Sequence, residues 1–332
     1  MKRISILVPE NSVLQAISDP QYLFSMVNQF RIASGKQAAF DVELVGLKKE
    51  INLNNGLYTV KTTKLVKQVC QTDLIIIPAL FGDMREAIDN NKDLIPWIIA
   101  MFNQGSEVAS LCVGAFLLAS TGLLNNKKCS THWGFQDEFR IMFPNVEVVE
   151  GSIITEEKGI YSSGGAHSYW NLLLYLVEKY TDRQTAILAS KYFAVDIDRN
   201  SQAAYSIFQG QKEHGDGSIK KTQEYIEQHI QNKITVDELA ELANLGRRSF
   251  ERRFRKVTNN SVLEYINRVK IEFAKRSFES GQKNISEVMF DVGYTDSKAF
   301  RTIFKKITGL TPIEYKNKYN KLRVPRKEEV IY

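Results

Sequence analysis

ITVDELAELANLGRRSFERRFRKVTNNSVLEYI runs from Ile234 to Ile266, and ISEVMFDVGYTDSKAFRTIFKKITGLTPIEY runs from Ile285 to Tyr315. Each stretch reads as a short helix, a tight turn near a glycine, and a second helix rich in Arg, Lys and polar residues. That is a helix-turn-helix pattern, met twice. The motif F-x-x-x-F-[RK]-K occurs at 250–256 and again at 300–306, and NNSVLEY at 259–265 is echoed by GLTPIEY at 309–315. Two features repeating in phase imply two copies of one structural unit. A basic helix of this type can enter the major groove and read base edges.

Within each copy the residues sort by helical period. Phe250 and Phe254 are four apart and fall on one inward face, as do Phe300 and Phe304. Arg248, Glu251 and Arg252 then face outward in the first copy, and Ser297, Lys298 and Arg301 in the second. Arginine can bond guanine O6 and N7 together, which makes Arg248 and Arg252 the leading base-reading candidates. Glu251 can accept from cytosine N4 or orient an arginine. Arg253, Arg255, Lys256 and Lys305 suit phosphate contacts, which position without specifying. Thr235 with Glu238 has the spacing of a capping box, Asp216 or Ser218 can cap a lead helix over 219–229, Asn284 a helix from Ile285, and Thr295 or Asp296 the helix after them. Gly246 is expected at the first turn and Gly293 with Tyr294 at the second. A connecting helix is expected over 262–280, with Arg268, Lys270, Lys275 and Arg276 on its wet side.

The rest of the chain differs in charge. Residues 1–215 carry 20 Lys and Arg against 22 Asp and Glu, and residues 216–332 carry 24 against 16. The near-neutral part and the basic part therefore face different partners, and the basic part suits a polyanion. A length of 332 residues favours two domains. ISILVP (4–9), FDVELVGL (40–47), LIIIPAL (74–80) and EVASLC (107–112) are short apolar runs that suit buried parallel strands. Helical stretches are expected near 20–34, 62–71 and 84–104, a hairpin over 146–163, a long helix from about Ala166 and another over 181–195. The order predicts a three-layer α/β domain. The polar stretch QGQKEHGDGS (209–218) reads as a linker. The expected division is 1–208, linker 209–218, a helical domain 219–320 and a basic tail 321–332.

Cys112 sits in SLCVGAFLLASTG, between an apolar strand and an apolar helix. Such a junction lifts a side chain above the sheet, and helix-terminal amides there can activate a thiol. A packed structural cysteine is the plainer reading. His132 and His167 are candidates for a base at a distance, and nothing in the spacing brings either to Cys112. Glu10, Cys112, Val113, His132 and His167 are candidates for a crevice at the strand ends, where open α/β sheets take small ligands. Cys70, Cys112 and Cys129 match no zinc or disulfide spacing, so no metal or cofactor is expected and a reducing cytoplasm is. No apolar run reaches the roughly 18 residues of a membrane span, and MKRISILVPE reads as a first strand.

At these residues the second half resembles the DNA-binding domain of AraC-family transcription regulators, most specifically along Asp291-Val292-Gly293-Tyr294, Phe300 to Lys306 and Gly309 to Tyr315. The resemblance implies two helix-turn-helix subdomains joined by a long helix. It places base reading on Arg248, Glu251, Arg252, Ser297, Lys298 and Arg301, with Thr302 where arginine is common. The first two hundred residues resemble the DJ-1/PfpI branch of the class I glutamine-amidotransferase-like fold, through Leu111 to Ala119, Gly122-Leu123-Leu124, Thr131-His132-Trp133 and Ser163-Gly164-Gly165. That likeness puts Cys112 at the family's nucleophile elbow, with Val113 where peptidase members often carry histidine. It implies a flavodoxin-like scaffold whose amidotransferase chemistry is lost, serving to sense a ligand or to dimerise. The expected protein is a cytoplasmic, homodimeric regulator of double-stranded promoter DNA, an activator by the family's habit, with a small effector and RNA polymerase as further partners. A cysteine-dependent hydrolase or amidase using Cys112, fused to a DNA-binding domain, is the alternative. An architectural DNA binder without an effector is a third reading.

Overall fold

The computed structural model describes residues 1–197, 201–212, 214–281 and 283–320. The chain divides into two compact units, Met1–Gln202 and Ala203–Tyr332. The expected tail, 321–332, lies outside the described residues.

In chain order the first unit contains β1 (Lys2–Leu7), α1 (Leu14–Ala33), β2 (Phe40–Gly46), β3 (Glu50–Leu53), β4 (Tyr58–Lys61), β5 (Lys64–Leu65) and β6 (Leu74–Ile77). Then come α2 (Met84–Asn90), α3 (Ile95–Asn103), β7 (Glu107–Ser110), α4 (Ala115–Ser120), β8 (Lys128–Cys129), α5 (Gln136–Met142), β9 (Glu147–Val148), β10 (Ile154–Glu157), β11 (Ile160–Ser163), α6 (Tyr169–Tyr180) and α7 (Arg183–Tyr192). Seven strands form one sheet in the order β10-β11-β7-β6-β1-β2-β5. All pair in parallel except the β10–β11 hairpin at the edge. Ile4 and Ile6 lie opposite Val42 and Leu44 on one side and Leu74 and Ile76 on the other. The Leu74–Ile77 strand is buried throughout, because a parallel sheet is covered on both faces and its strands need not alternate. Helices α1, α6 and α7 pack together, with α1 on β1 and β2 and α6 on β10 and β11, while α4 packs on β6 beside α2. This is the expected flavodoxin-like α/β layering.

Three local expectations need correction, and one hairpin is new. The helix expected over 62–71 is the edge strand β5 followed by a short 3-10 turn at Val66–Gln68. Thr63 extends the ladder instead, its amide donating to the Leu44 carbonyl at 2.8 Å. The helix expected over 84–104 is broken at Asn91. Its buried side-chain amide is bonded to the Glu10 amide and carbonyl and to the Ala87 carbonyl, and Pro96, just beyond, has no amide to donate. In the stretch 146–163, only β10 and β11 form the hairpin, and β9 pairs in parallel with β8. The hairpin β3–β4 was not foreseen. Its turn is Asn54-Asn55-Gly56, with all three residues at positive φ.

The second unit contains α8 (Gly217–Gln228), α9 (Val236–Leu242), α10 (Arg247–Thr258), α11 (Val262–Ser280), α12 (Ile285–Asp291), α13 (Ser297–Thr308) and α14 (Pro312–Tyr319). It has two cores. Ile219, Leu239, Phe250, Phe254 and Tyr265 are buried in the first, and Val288, Met289, Phe300, Phe304 and Tyr315 in the second. Helix α11 serves both: Tyr265, Ile266 and Val269 enter the first core, and Ile271, Ala274 and Phe278 the second. Ile230 and Phe273 pack against both.

The repeat seen in the sequence is a repeat of packing. Phe250 and Phe254 have ring centroids 5.6 Å apart, and Phe300 and Phe304 5.7 Å. Tyr265 meets Phe254 edge-on at 5.3 Å, and Tyr315 meets Phe304 at 5.5 Å. Thr258 and Thr308 each donate a hydroxyl back to the phenylalanine carbonyl four residues earlier. Both support helices begin with a capping box, Thr235 with Glu238 and Asn284 with Glu287, which satisfies amides that have no partner inside the helix.

Gly246 lies in the first turn as expected, as the extended N-cap of α10, with Asn244 as the left-handed residue at φ +53°. One expectation about this unit is corrected. Lys270 and Lys275 are not on a wet side: they are only 6% and 4% exposed, beside Glu272 at 7%. A loop and a strap of chain cover that face of α11. Lys270 Nζ donates to the Asn232 carbonyl of the loop, and Lys275 Nζ to the Ser206 carbonyl of the strap.

Candidate DNA interface and the cysteine elbow

The outward faces of α10 and α13 carry the residues singled out from the sequence. Arg248, Arg252 and Arg255 follow one another at spacings of four and three, and so do Lys298, Arg301 and Lys305 at three and four, which gathers each set on one helical face. All six are exposed, and none makes an ion pair or side-chain hydrogen bond among the described residues. The cost of burying an anion against them is therefore not raised by a native partner that must first be displaced. Ser297 is exposed at the first turn of α13, just after Asp296, whose carboxylate caps Lys298 and Ala299.

Glu251 stands apart from that set. Its carboxylate lies 3.5 Å from Arg247, which in turn lies 3.1 Å from Asp237 on α9. Of its two expected roles, orienting an arginine is the one its geometry serves, and that arginine is Arg247. Arg253, expected at a phosphate, makes two bonds to Asp216 at 2.8 and 3.0 Å. Asp216 also caps α8 through the Ile219 amide. Its carboxyl is held low by the Arg253 guanidinium and the Ile219 amide, against the opposing effect of desolvation. Arg253 thus ties α10 to α8 and faces away from the exposed basic row.

Gly293 joins the two copies. It sits at φ +73°, and a Cβ there would lie 2.5 Å from the Gln231 carbonyl. Lys270 lies 5.6 Å over the ring of Tyr294, and the Tyr294 hydroxyl donates to Asn267. Burial lowers the Lys270 pKa.

In the first unit, the chain turns sharply at Cys112. The residue has φ +54° and opens a 3-10 turn, Cys112–Gly114, between β7 and α4. This is the strained strand-to-helix turn expected of an elbow. The turn is tight against β6: a Cβ on Gly114 would lie 2.5 Å from the Pro78 carbonyl. The Cys112 amide donates to Ser163 Oγ at 3.2 Å, and its carbonyl accepts from Thr131 Oγ1 at 3.3 Å. Burial pushes the thiol up to about 12, with partial relief from the Val113 amide. Burial thus keeps the thiol in its protonated form at neutral pH.

The other crevice candidates are not gathered on that thiol. Val113 is its buried neighbour. Glu10 pairs with Lys48 at 2.6 Å. His132 accepts the Gly134 amide on Nδ1 and stacks beside Trp133, and burial lowers its pKa. His167 is exposed. Among the described residues no histidine or carboxylate is bonded to Cys112 Sγ, and no three His, Cys, Asp or Glu side chains form a metal-holding group.

What surrounds the elbow was largely unforeseen. Asp19 of α1 accepts from the Tyr169 hydroxyl at 2.7 Å and from Trp170 Nε1 at 2.9 Å. Burial raises the Tyr169 phenol first, and the Asp19 and Cys112 charges raise it further. Gln202 closes another side. Its buried amide donates to the Thr131 and Ser152 carbonyls and accepts from the Trp133 amide. The bare Gly164 admits it, since a Cβ there would meet Gln202 Nε2 at 2.0 Å. Only the Ser-Gly-Gly run near 163–165 hinted at so close an approach.

Comparison with known proteins agrees with both halves. A profile described as the DJ-1/PfpI family matches residues 21–179, and one described as a helix-turn-helix domain matches residues 239–318. The HTH-type transcriptional regulator GbdR of Pseudomonas aeruginosa is 24% identical over 244 residues, 72% of this chain and 65% of GbdR. The chain thus matches just under two thirds of that relative's length. The HTH-type transcriptional regulator CdhR of the same organism is 23% identical over 261 residues, 78% of this chain and 76% of CdhR. The crystal structure of a THiJ/PfpI family protein from Pseudomonas syringae superposes with a TM-score of 0.50 at 14% identity, covering 74% of this chain and 91% of that one, and shares the fold. Among the described residues no helix is long and apolar enough to cross a membrane. The chain therefore resembles the DJ-1/PfpI family over residues 21–179 and a helix-turn-helix domain over residues 239–318, the second following the first, and the relatives it matches are HTH-type transcriptional regulators.

Proposed function

We propose that this protein is a sequence-specific DNA-binding transcription regulator. The observation that carries the reading is the pair of identically packed helix-turn-helix copies, each presenting a row of exposed, unpartnered basic side chains. Helices α10 and α13 enter neighbouring major-groove segments. Arg248 and Arg252 read bases. Arg255 and Lys305 hold phosphate, and Ser297, Lys298 and Arg301 make the second contact. The first unit acts as a sensor or a dimer module. A small effector seated beside Cys112, or association into a homodimer, shifts the population competent to hold DNA. In this reading the protein works in the cytoplasm, where it activates transcription through RNA polymerase.

The test is selection of bound duplexes from a random pool at fixed salt, with Arg248→Ala/Arg252→Ala as control. A strong motif that the control loses supports base reading by α10. No motif, or equal weak enrichment by both proteins, points to nonspecific phosphate binding.

The left-handed turn at Cys112 favours one other reading, a cysteine hydrolase or amidase. Against it, burial holds the Cys112 thiol far less ready to ionise than that of an ordinary exposed cysteine. Alkylation at pH 8, mapped by mass, is expected at Cys70, which is exposed, and not at Cys112. Rapid labelling of Cys112 together with turnover lost in Cys112→Ala would favour the enzyme.

A further inference from the structure

Residues 203–212 read from the sequence as the end of one domain and the start of a polar linker. In the structure they lie along the second unit and touch both of its cores. Ala203–Tyr205 form a 3-10 turn that packs on α13. The Tyr319 hydroxyl donates to the Ala204 carbonyl, and Lys318 lies 4.3 Å over the Tyr205 ring. Those anchors are in the second copy. Further along, the Phe208 ring meets Tyr265 edge-on at 5.2 Å, and the Gln211 carbonyl accepts from Gln223 of α8. Those anchors are in the first.

Between the two sets sits a buried ion pair. Lys275 Nζ lies 2.7 Å from Glu272 Oε2 and donates to the Ser206 carbonyl at 2.5 Å. Glu272 Oε2 also accepts the Phe208 amide at 3.2 Å. Lys275 lies 5.9 Å from the Tyr315 ring centre. Two opposite charges are therefore desolvated in order to bind two main-chain groups of the strap. Buried pairs contribute little net stability, and in some proteins they serve to fix one arrangement over others. A strap that spans two semi-independent cores and is clasped at the middle of their shared helix restrains the angle between them.

We propose that residues 203–212 are a clamp setting the separation of the two recognition helices, with Glu272 and Lys275 as its positioning residues, so that the strap determines which spacing of the two half-motifs the protein accepts. The inference rests on the DNA-binding reading above. Each inserted base pair moves a half-motif by about 3.4 Å and turns it by about 35°, so a rigid reader discriminates sharply among spacings and a loose one does not.

The test uses the full chain and the motif recovered by selection, with the spacer between half-motifs lengthened or shortened by one base pair. The variant is Glu272→Leu/Lys275→Met. It removes both charges together while keeping side-chain volume, a change that folds tolerate well. The native protein is expected to bind altered spacers about tenfold or more weakly. In the variant the melting temperature stays near native, the Phe208 amide loses its exchange protection, and the spacing preference falls to within about threefold, as each lost contact set is of the size of one base mismatch. If the variant does not fold, Phe208→Ala is read by the same spacing ratio. General destabilisation lowers binding at every spacing alike, so an unchanged ratio with an unprotected Phe208 amide overturns the clamp alone. Absence of any motif with the native protein overturns the DNA reading, and the clamp's role in spacing with it.

Discussion

The two helix-turn-helix copies agree inside and differ outside. Their phenylalanine pairs, edge-on tyrosines, back-bonded threonines and capping boxes superimpose in kind and nearly in distance. Their exposed faces do not. The first offers Arg248, Arg252 and Arg255, with Glu251 engaged by Arg247, and the second offers Lys298, Arg301 and Lys305, with Thr302 at the position of Arg252. The repeated part is what any such unit needs to fold, and the divergent part is what a particular groove segment needs to be read. Arginine's planar fork is more rigid than lysine's flexible point charge. Under the proposed function, the first copy, with three arginines in its exposed row to the second's one, is the sharper reader.

That contrast can be attacked in order of effect. The largest consequences belong to the shared interior. Phe254→Ala and Phe304→Ala are each expected to cost about 3–5 kcal/mol, and urea melts should give similar values for both. A large difference would mean that the cores are not equivalent. Next come the faces. Arg248→Ala/Arg252→Ala is expected to lose about 1–3 kcal/mol for each base-reading arginine and to relax sequence preference. Lys298→Ala/Arg301→Ala should cost less and chiefly flatten the salt dependence. Equal losses of specificity, scored against single-base operator variants, would erase the proposed asymmetry. Smaller again is Thr302→Arg, expected to tighten binding and steepen the salt slope by about one; no change would place that position away from DNA. The smallest effects are at the caps, where Thr235→Ala and Asn284→Ala should each cost about 1 kcal/mol in thermal melts.

Local chemistry made much of this legible in the sequence. The capping residues at 216, 235, 284 and 296, the phenylalanine pairs and the apolar parallel strands all depend on neighbours a few residues away. The Asn54-Asn55-Gly56 turn was equally readable, since that composition marks a hairpin with positive φ, yet it went unassigned. The failures lie where distant chain decides the environment. Lys270 and Lys275 sit at positions that any helical wheel places in water, and only a strap and a loop, 69 and 38 residues away in sequence, bury them. Arg253 looked like a phosphate ligand until Asp216 claimed it. Around Cys112 the strand-turn-helix pattern found the elbow. Asp19, Tyr169, Trp170 and Gln202 reach it or its neighbours across as many as 151 residues, beyond any periodicity. His132 and His167 stand out as residue types, but His132 accepts the Gly134 amide and His167 is exposed.

Gly293 carries one more lesson. A Cβ there would lie 2.5 Å from the Gln231 carbonyl and 2.8 Å from Lys270 Nζ, so the seat of the second copy against the first is closed by main chain on one side and a buried lysine on the other. The Gln231 side chain can change over evolutionary time without altering that carbonyl, because every residue type supplies it, whereas its neighbour Ile230 is held by packing against both cores. The opposite partner has no such freedom, since any L side chain at 293 meets both an unfavourable φ and a collision. Drift at position 231 is thus silent, while a single-codon change at position 293 would shift one helix-turn-helix copy against the other.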